Sequence, residues 1–332
     1  MERKNQNPII QWIVKTKILG ILFFVVIGAF VIYALGRALT SNPTLFLQQV
    51  VNGLQLGFVY ALIALGYTMI YGIVRLINFA HGDVFMVGAF TSFFTISRFN
   101  LHLWFQNLFP SFPALPAQII GSITVVLASM AVCALLAFTI EKIAYKPLRE
   151  APRISALITA IGISFFLEYF GALNFVFTPN YITYKRPFEV QSWFIGPSGF
   201  GTIESGVNSS GNNIIFSNIF VIIVLTSLSL LLILQYIVKR TKIGKAMRAV
   251  AYDKPTARLM GINSDAVISI TFALGAALAG AAGVLYAIAY PQVYFVMGII
   301  PGMKAFVAAV VGGIGSIPGA FIGALIMVQA EP

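Results

Sequence analysis

Apolar runs long enough to cross a lipid bilayer recur along most of this 332-residue chain. A helix that crosses the roughly 30 Å hydrocarbon core needs about 20 mostly apolar residues. Runs that reach or approach this length occupy residues 18–36, 45–71, 84–99, 118–140, 154–177, 217–238 and 266–290, and a glycine-interrupted run follows at 303–330. Because backbone polar groups inside a bilayer must bond to one another, the pattern predicts a bundle of transmembrane helices.

The composition excludes most classes of soluble protein. Charged residues make up 9% of the chain, whereas a soluble domain carries about 25%. The formal net charge of +11 would suit a nucleic-acid-binding protein, but charge asymmetry across a membrane explains it better, so we expect no nucleic-acid partner. Cys133 is the only cysteine, which excludes an intrachain disulfide and a cysteine-cluster metal site. The sequence contains no phosphate-binding loop, nucleophile elbow or paired metal motif, so we expect a non-enzyme that binds no cofactor or metal itself.

Basic residues predict the side of the membrane that each loop faces. Lys and Arg are enriched in cytoplasmic loops. Seven of them lie in the basic loop, which we define as residues 239–265. Placing this loop in the cytoplasm also places there, by alternation, the basic residues before the first run, Arg75 and the cluster from Lys142 to Arg153. The N-terminus of this multi-pass protein is therefore predicted to be cytoplasmic.

The chain is predicted to have two parts. Residues 1–44 form a cytoplasmic segment with one additional transmembrane helix, and residues 45–332 form the main transmembrane domain. The first part has an alternative interpretation, because basic residues followed by an apolar run resemble a signal peptide. The run at 18–36 is longer than the usual core of a signal peptide, which favours an uncleaved helix.

Two segments, 72–90 and 311–325, interrupt the helical pattern with glycine and polar residues. Each resumes with a similar phrase, Val-Gly-Ala-Phe at 87–90 and Ile-Gly-Ala-Leu at 322–325. Irregular backbone at membrane depth is tolerated only inside protein or beside a water-filled cavity, and paired interruptions indicate a transport pathway. The predicted fold class is therefore all-α: a polytopic transmembrane helical bundle with two broken or re-entrant segments and an internal pseudo-repeat.

Polar or flexible groups at membrane depth are the candidates for lining this pathway, because they usually face a cavity or a partner. The candidate pathway residues are Asn78, His81, Gly82, Glu168, Lys304, Gly312, Gly313, Gly315 and Ser316. Glu168 lies within an apolar run and is the hardest of them to explain structurally. Arg75 and Asp83 flank the first interruption, where local pairing is an alternative to a role in the pathway. Both interruptions have a second interpretation as packing turns without access to solvent.

The basic loop has internal order. Ile243, Met247 and Val250 recur at helical spacing, Asp253 and Pro255 resemble the start of a second helix, and Gly261 stands where that helix would end. Short amphipathic helices in a cytoplasmic loop indicate a surface for a soluble partner. The alternative is a solvated run of charge that only fixes the topology.

Three functions fit these features: a transporter subunit driven by another protein, a self-sufficient secondary transporter or channel, and a membrane scaffold. Secondary transport usually requires ion-coupling carboxylates in the spans, where Glu168 is almost alone. A scaffold needs neither broken helices nor a structured loop. The driven subunit therefore fits best.

Several phrases make the chain similar to a known family. They lie at 51–90, which includes INFAHGD, at 141–149 (EKIAYKPLR), at 155–168, at 260–263 and at 302–326. The chain resembles the permease subunits of branched-chain amino-acid ABC transporters of the leucine/isoleucine/valine type. The resemblance implies that residues 45–332 are a permease domain in a bacterial inner membrane.

The resemblance also implies the partners of the chain. These are two ABC ATPases that use ATP and Mg²⁺, a second homologous permease or a second copy of this chain, and a periplasmic substrate-binding protein. The implied ATPase-coupling residues are Arg248, Ala251, Asp253, Pro255, Ala257, Arg258 and Gly261. Relatives that carry urea or short amides leave the substrate open. Family members continue beyond the point where this sequence ends, so we expect it to lack a closing span.

Overall fold

The structure is a computed structural model that describes residues 25, 26, 28, 29, 33, 36, 37, 39–149, 151–196, 199–203 and 213–331. The helix predicted at 18–36, with its signal-peptide alternative, falls mostly outside these residues. The chain divides into two compact units, residues 1–50 with 194–215 and residues 51–193 with 216–332. The candidate site lies in the second unit. The predicted division after residue 44 stays a prediction.

Helices make up most of the described chain. They are α1 (Pro43–Val74), α2 (His81–Ser97), α3 (Trp104–Leu108), α4 (Ala114–Ile140), α5 (Arg153–Gly171), α6 (Asn218–Arg240), α7 (Lys242–Tyr252), α8 (Lys254–Leu259), α9 (Ser264–Ala289), α10 (Ile299–Val311) and α11 (Ile317–Gln329). A 3₁₀ turn, Leu101–Leu103, precedes α3, and a π turn, Glu141–Tyr145, extends α4.

Short strands, which the sequence did not indicate, lie in two connections between helices. They are β1 (Ile182–Thr183), β2 (Ser192–Gly196), β3 (Gly199–Thr202), β4 (Ile214–Ser217) and β5 (Gln292–Val293). β1 and β5 form an antiparallel pair in which Ile182 lies opposite Val293. The other three strands form a sheet in the order β3-β2-β4.

Five helices of the described chain are long and apolar enough to cross a membrane: α1, α4 with its π turn, α5, α6 and α9. α2 and the segment through α3 are bent by 63° and make a sixth span if they are counted together. This confirms the predicted polytopic, all-α helical bundle. α10 and α11 have 13 residues each. They are therefore about 20 Å long, too short to cross a 30 Å core individually.

The centre of the bundle is formed by α1 and α9. Residues 57–70 of α1 are all buried, and most of α9 is buried as well. Helices that are apolar on all sides and buried on all sides form the core of a membrane bundle. α4, α5 and α6 instead expose broad apolar faces, as expected of helices that contact lipid or another membrane subunit.

Small residues allow the central helices to touch through their backbones. A Cβ atom at Gly88 of α2 would lie 2.6 Å from the Cα of Gly280 in α9. The hydroxyl of Ser129 in α4 lies 2.8 Å from the Gly88 carbonyl oxygen and 3.2 Å from that of Gly280. Gly275 and Gly283 are likewise packed against neighbouring helices. In a bilayer, where the hydrophobic effect between helices is weak, such close approach stabilises the assembly.

Both predicted interruptions are present. α1 ends at Val74 and α2 begins at His81, so residues 75–80 form the first break. Residues 312–316 form the second break, between α10 and α11. Gly313 and Gly315 have φ angles of +90° and +96°, which side chains other than glycine rarely adopt. The breaks are narrower than predicted because the flanking helices extend into them. The internal pseudo-repeat stays a prediction.

The basic loop forms the two predicted helices, α7 and α8, and the three apolar residues at helical spacing in α7 differ in burial. Met247 and Val250 are buried, whereas Ile243 is exposed. Gly244 is buried in its place, because its backbone lies against the carbonyl groups of Ile237 and Val238 at the end of α6. The missing side chain of Gly244 thus allows α7 to pack tightly after α6.

The ends of α8 follow the prediction. The Asp253 carboxylate accepts a hydrogen bond of 3.3 Å from the backbone N–H of Thr256, and Pro255 occupies the first turn. Gly261, with a φ angle of +81°, follows the end of the helix. An acidic cap satisfies an otherwise unpaired N–H group, and glycine permits the left-handed backbone that ends many helices.

Candidate functional site

The two breaks lie side by side. A Cβ atom at Gly72, near the end of α1, would lie 3.3 Å from the Cα of Gly315 in the second break. Ile77 of the first break and Ile314 of the second line the same small cavity. The remaining lining residues are Tyr67, Tyr71, Phe306 and Ala309. Two segments separated by more than 230 residues in sequence therefore meet, as the prediction of a shared pathway requires.

The cavity between the breaks is nearly closed. Its volume is about 10 Å³, close to the minimum that holds a single water molecule. A solute with several heavy atoms does not fit in this conformation. Passage through this region therefore requires α10, α11 or the first break to move.

The predicted pathway residues of the first break are buried at its end. Asn78 accepts a 2.7 Å hydrogen bond from the hydroxyl of Tyr145. His81 is fully buried at the start of α2, with its ring centroid 4.7 Å from that of Tyr67. A Cβ atom at Gly82 would lie 2.5 Å from the carbonyl oxygen of Gly298, which explains the glycine at this position. These residues hold the start of α2 against α1 and the segment before α10.

Glu168, the remaining acidic candidate, lies against a second carboxyl group. It lies close to Asp83 of α2, and both side chains are buried. The hydroxyl of Ser164 donates to Asp83. Among the described residues, neither carboxyl group forms an ion pair with a basic side chain. The suggested local pairing of Arg75 with Asp83 is therefore wrong, since Arg75 is exposed and Asp83 is turned towards α5.

The predicted residues of the second break form a tight turn. The backbones of Gly312 and Gly319 are in direct contact, because a Cβ atom at Gly312 would overlap the main chain of Gly319. Ser316 caps α11 by accepting a 3.3 Å hydrogen bond from the Gly319 N–H. Gly313, Gly315 and Ser316 are exposed, so this turn lies at the surface of the single chain.

Lys304 lies apart from the second break. It precedes Gly312 by about two turns of α10, and its ammonium group forms an ion pair with Glu331, beyond the end of α11. This contact ties the two short helices together. The structure thus brings Lys304 to a different place from the other candidates of its segment.

Three of the predicted coupling residues are occupied with local contacts. Ala257 is buried, Asp253 caps α8, and the guanidinium group of Arg248 donates to the carbonyl oxygen of Val238. The remaining four predicted coupling residues are exposed or half-buried. Pro255, Arg258 and Gly261 are exposed, and Ala251 is half-buried.

The sequence interpretation missed the most exposed large apolar residues of the basic loop. Tyr252 is 92% exposed, Leu259 is 87% exposed and Met260 is 77% exposed. We call these three residues the loop surface. Large apolar side chains in an otherwise polar loop were the signal that could have identified them. Beside them lies an open hollow of about 310 Å³ whose lining includes Arg258, Gly261 and Asp265.

Comparisons with known proteins show which proteins this chain is similar to. A sequence model of the family described as "Branched-chain amino acid transport system / permease component" matches residues 49–331. The high-affinity branched-chain amino acid transport system permease protein LivH of Salmonella typhimurium is 41% identical over 86% of this chain and 85% of its own length. LivH of Escherichia coli K12 is 40% identical, and BraD of Pseudomonas aeruginosa is 38% identical, over the same shares of both chains.

No solved structure matches the chain. The family match covers both breaks, the basic loop and every predicted site residue. The family match and the relatives near 40% identity over most of both chains together show the family to which the chain belongs. The chain belongs to the family of permease components of branched-chain amino acid transport systems.

Proposed function

We propose that the chain is a membrane subunit of an ABC importer for branched-chain amino acids. It forms the translocation path with a second permease, either a homologous chain or a second copy, and separate ABC ATPases drive it. The observation that carries this proposal is the loop surface, together with two adjacent breaks in the bundle. A self-sufficient transporter does not need apolar side chains displayed on a capped loop helix.

The loop surface has the composition of a protein interface. Exposed apolar side chains rimmed by charge mark sites of association rather than solvated loops. Tyr252, Leu259 and Met260 supply the apolar centre, and Arg258 lies beside them. The rigid caps of α8 fix their positions. We propose that two ATPase subunits, which bind and hydrolyse ATP with Mg²⁺, dock here, one on each permease.

The orientation follows from this assignment. ATPases of such importers work in the cytoplasm, so the basic loop is cytoplasmic, in agreement with the enrichment of Lys and Arg. Alternation then places the N-terminus in the cytoplasm and the connection between α5 and α6 on the opposite side of a bacterial inner membrane. A periplasmic substrate-binding protein delivers the substrate to that opposite side.

The lining between the breaks supports an amino acid with an apolar side chain. A zwitterion that crosses the membrane must exchange water for polar partners. We expect Asn78, His81 and the irregular backbone of the second break to supply such partners when the breaks open. The cavity itself is lined by aliphatic and aromatic side chains. We propose leucine, isoleucine or valine rather than urea or a short amide as the substrate, because the relatives near 40% identity are named as branched-chain amino acid permeases.

Co-purification of the ATPases tests the docking surface. Leu259→Asp and Met260→Asp place charges where we propose apolar contact, and should reduce the ATPase recovered with the solubilised permease at least tenfold. Arg258→Glu should weaken recovery as well. Lys239→Glu is the matched control. Lys239 is an exposed residue of the basic loop, but it does not belong to the loop surface. Wild-type recovery with all three substitutions, in protein that is inserted in the membrane, would contradict the proposal.

A further inference from the structure

The segment 141–149, EKIAYKPLR, has no role in the function proposed so far, although it is one of the phrases that define the resemblance. α4 passes here into a π turn, in which the N–H of Lys146 donates a 2.8 Å hydrogen bond to the carbonyl oxygen of Glu141. π turns within helices are rare and occur frequently at functional sites. Side chains of this segment contact two parts of the molecule: Arg149 contacts α9, and Tyr145 contacts the first break.

One end of the segment is held by a chain of ion pairs. The guanidinium group of Arg149 bonds both to Glu141, within the segment, and to Asp265, in the first turn of α9. Asp265 also lies 3.3 Å from the guanidinium group of Arg258, next to the loop surface. Ser269 of α9 donates to the second oxygen of Glu141. Ion pairs therefore link α8, α9 and the end of α4 in one continuous network.

The burial of these groups changes along the chain of ion pairs. The side chain of Arg258 is 53% exposed, that of Arg149 is 8% exposed, and that of Glu141 is fully buried. A buried guanidinium group that bonds two carboxylates through its two terminal nitrogens is fixed in position, whereas an exposed pair is loose and contributes little. The most buried part of the connection is therefore the pair Glu141 and Arg149, and Asp265, whose side chain is 35% exposed, links this pair to α9.

The other end of the segment reaches the first break. Tyr145 is the last residue of the π turn, and its hydroxyl donates the 2.7 Å hydrogen bond to Asn78. Its ring lies 5.3 Å, centroid to centroid, from that of Phe272 in α9. Only three residues, 146–148, thus separate Tyr145, which holds the break, from Arg149, which is fixed by the ion pairs.

We propose that residues 141–149 are a positioning segment that transmits movement of the loop surface to the first break, with Arg149 at one end and Tyr145 at the other. The inference rests on the proposed function and assigns how the ATPases act on the pathway. When docked ATPases move α8, the short connection of residues 260–263 moves the start of α9, and the ion pairs of Arg149 carry the end of α4 with it. The π turn changes its hydrogen bonding, and Tyr145 shifts Asn78 at the break.

The number of amino-acid molecules imported per ATP hydrolysed tests this proposal. The measurement uses the assembled complex with its ATPases and binding protein in proteoliposomes. Tyr145→Phe removes one hydroxyl and keeps the ring, and Arg149→Gln removes the guanidinium group that bonds Glu141 and Asp265. Each should lower the ratio about tenfold while ATPase recovery and basal hydrolysis stay at the wild-type level.

Two matched controls separate transmission from structural damage. Tyr169→Phe removes an exposed tyrosine hydroxyl from α5, and Lys146→Gln removes the 44% exposed amine that lies 3.5 Å from Asp265. Both should stay within about twofold of the wild-type ratio, since exposed pairs contribute little. Arg149→Lys keeps the positive charge but lacks the planar guanidinium group. Its ratio should lie between that of Arg149→Gln and that of the wild type.

A second substitution locates the transmission at the break. Asn78→Leu combined with Tyr145→Phe should lower the ratio no further than Asn78→Leu alone, because Tyr145→Phe then has no hydrogen bond left to remove. Additive losses would overturn the proposal. So would a wild-type ratio in Tyr145→Phe, or loss of ATPase recovery in that variant. A wild-type complex that takes up nothing with ATP would instead contradict the proposed function, which keeps the two failures distinct.

Discussion

The hydroxyl of Tyr145 donates a 2.7 Å hydrogen bond to the side-chain oxygen of Asn78, and both residues are buried. The bond joins the end of α4 to the first break. On the other side of the break, Gly72 and Gly315 bring the second break within van der Waals distance. The irregular backbone is thus held from two directions around a cavity that is closed in this conformation. If this region is the proposed path, the cavity must open during transport.

Cysteine labelling should show this opening. In a Cys133→Ala background, Ser316→Cys should react with small hydrophilic thiol reagents in every state, because Ser316 is exposed. Asn78→Cys and Ala80→Cys should be inert in the resting complex, because both positions are buried. Their labelling should rise at least tenfold in one nucleotide state of the assembled complex. Gly319→Cys tests the turn between α10 and α11 in the same way. If buried and exposed positions react equally and independently of nucleotide, the breaks are not a gated pathway.

We expect Glu168 and Asp83 to stabilise the bundle through a hydrogen bond between their side chains rather than through their negative charge. Glu168→Gln retains a side chain that can bond to Asp83, and should stay within about 1 kcal/mol of the wild-type free energy of unfolding. Glu168→Ala leaves Asp83 buried with one partner fewer, and should lower that free energy by about 1–3 kcal/mol. Unfolding in mixed micelles measures both. Equal losses for Gln and Ala would show that the bond between the two carboxyl groups does not stabilise the bundle.

Glycine at the crossing of α2 and α9 should be needed for packing. Gly88→Ala places a methyl group 2.6 Å from the Cα of Gly280, and should lower the free energy of unfolding by about 1–3 kcal/mol. Gly162→Ala is the matched control, since no atom lies within 4 Å of the added Cβ. It should be neutral or stabilising by up to about 1 kcal/mol, because alanine favours helix more than glycine does. The interpretation fails if the two substitutions have the same effect.

Much of the fold could be predicted from the sequence because the bilayer imposes a simple rule on it. Apolar runs of sufficient length become helices, and glycine with polar residues at membrane depth interrupts them. The caps of α8 followed from local chemistry in the same way, through Asp253 and Pro255. The strands β1 and β5 were missed because each has two residues, too few to show alternation.

The missing parts of the site depend on contacts between distant residues. Arg149 and Asp265 are 116 positions apart, and Tyr145 and Asn78 are 67 positions apart. Neither pair leaves a local pattern. Ala257 was predicted to contact the ATPases but is buried, because tertiary packing rather than helical spacing decides which face of a six-residue helix is free.

Reconstitution tests the central claim most directly, namely that this permease works only when separate ATPases drive it. The purified chain is placed in liposomes alone, and in parallel with its second permease, the ATPases, the binding protein and enclosed ATP. The account predicts uptake of labelled leucine, isoleucine or valine only in the complete system, with competition by unlabelled amino acid and not by urea. Concentrative uptake by the chain alone, without ATP, would contradict it and identify a secondary transporter.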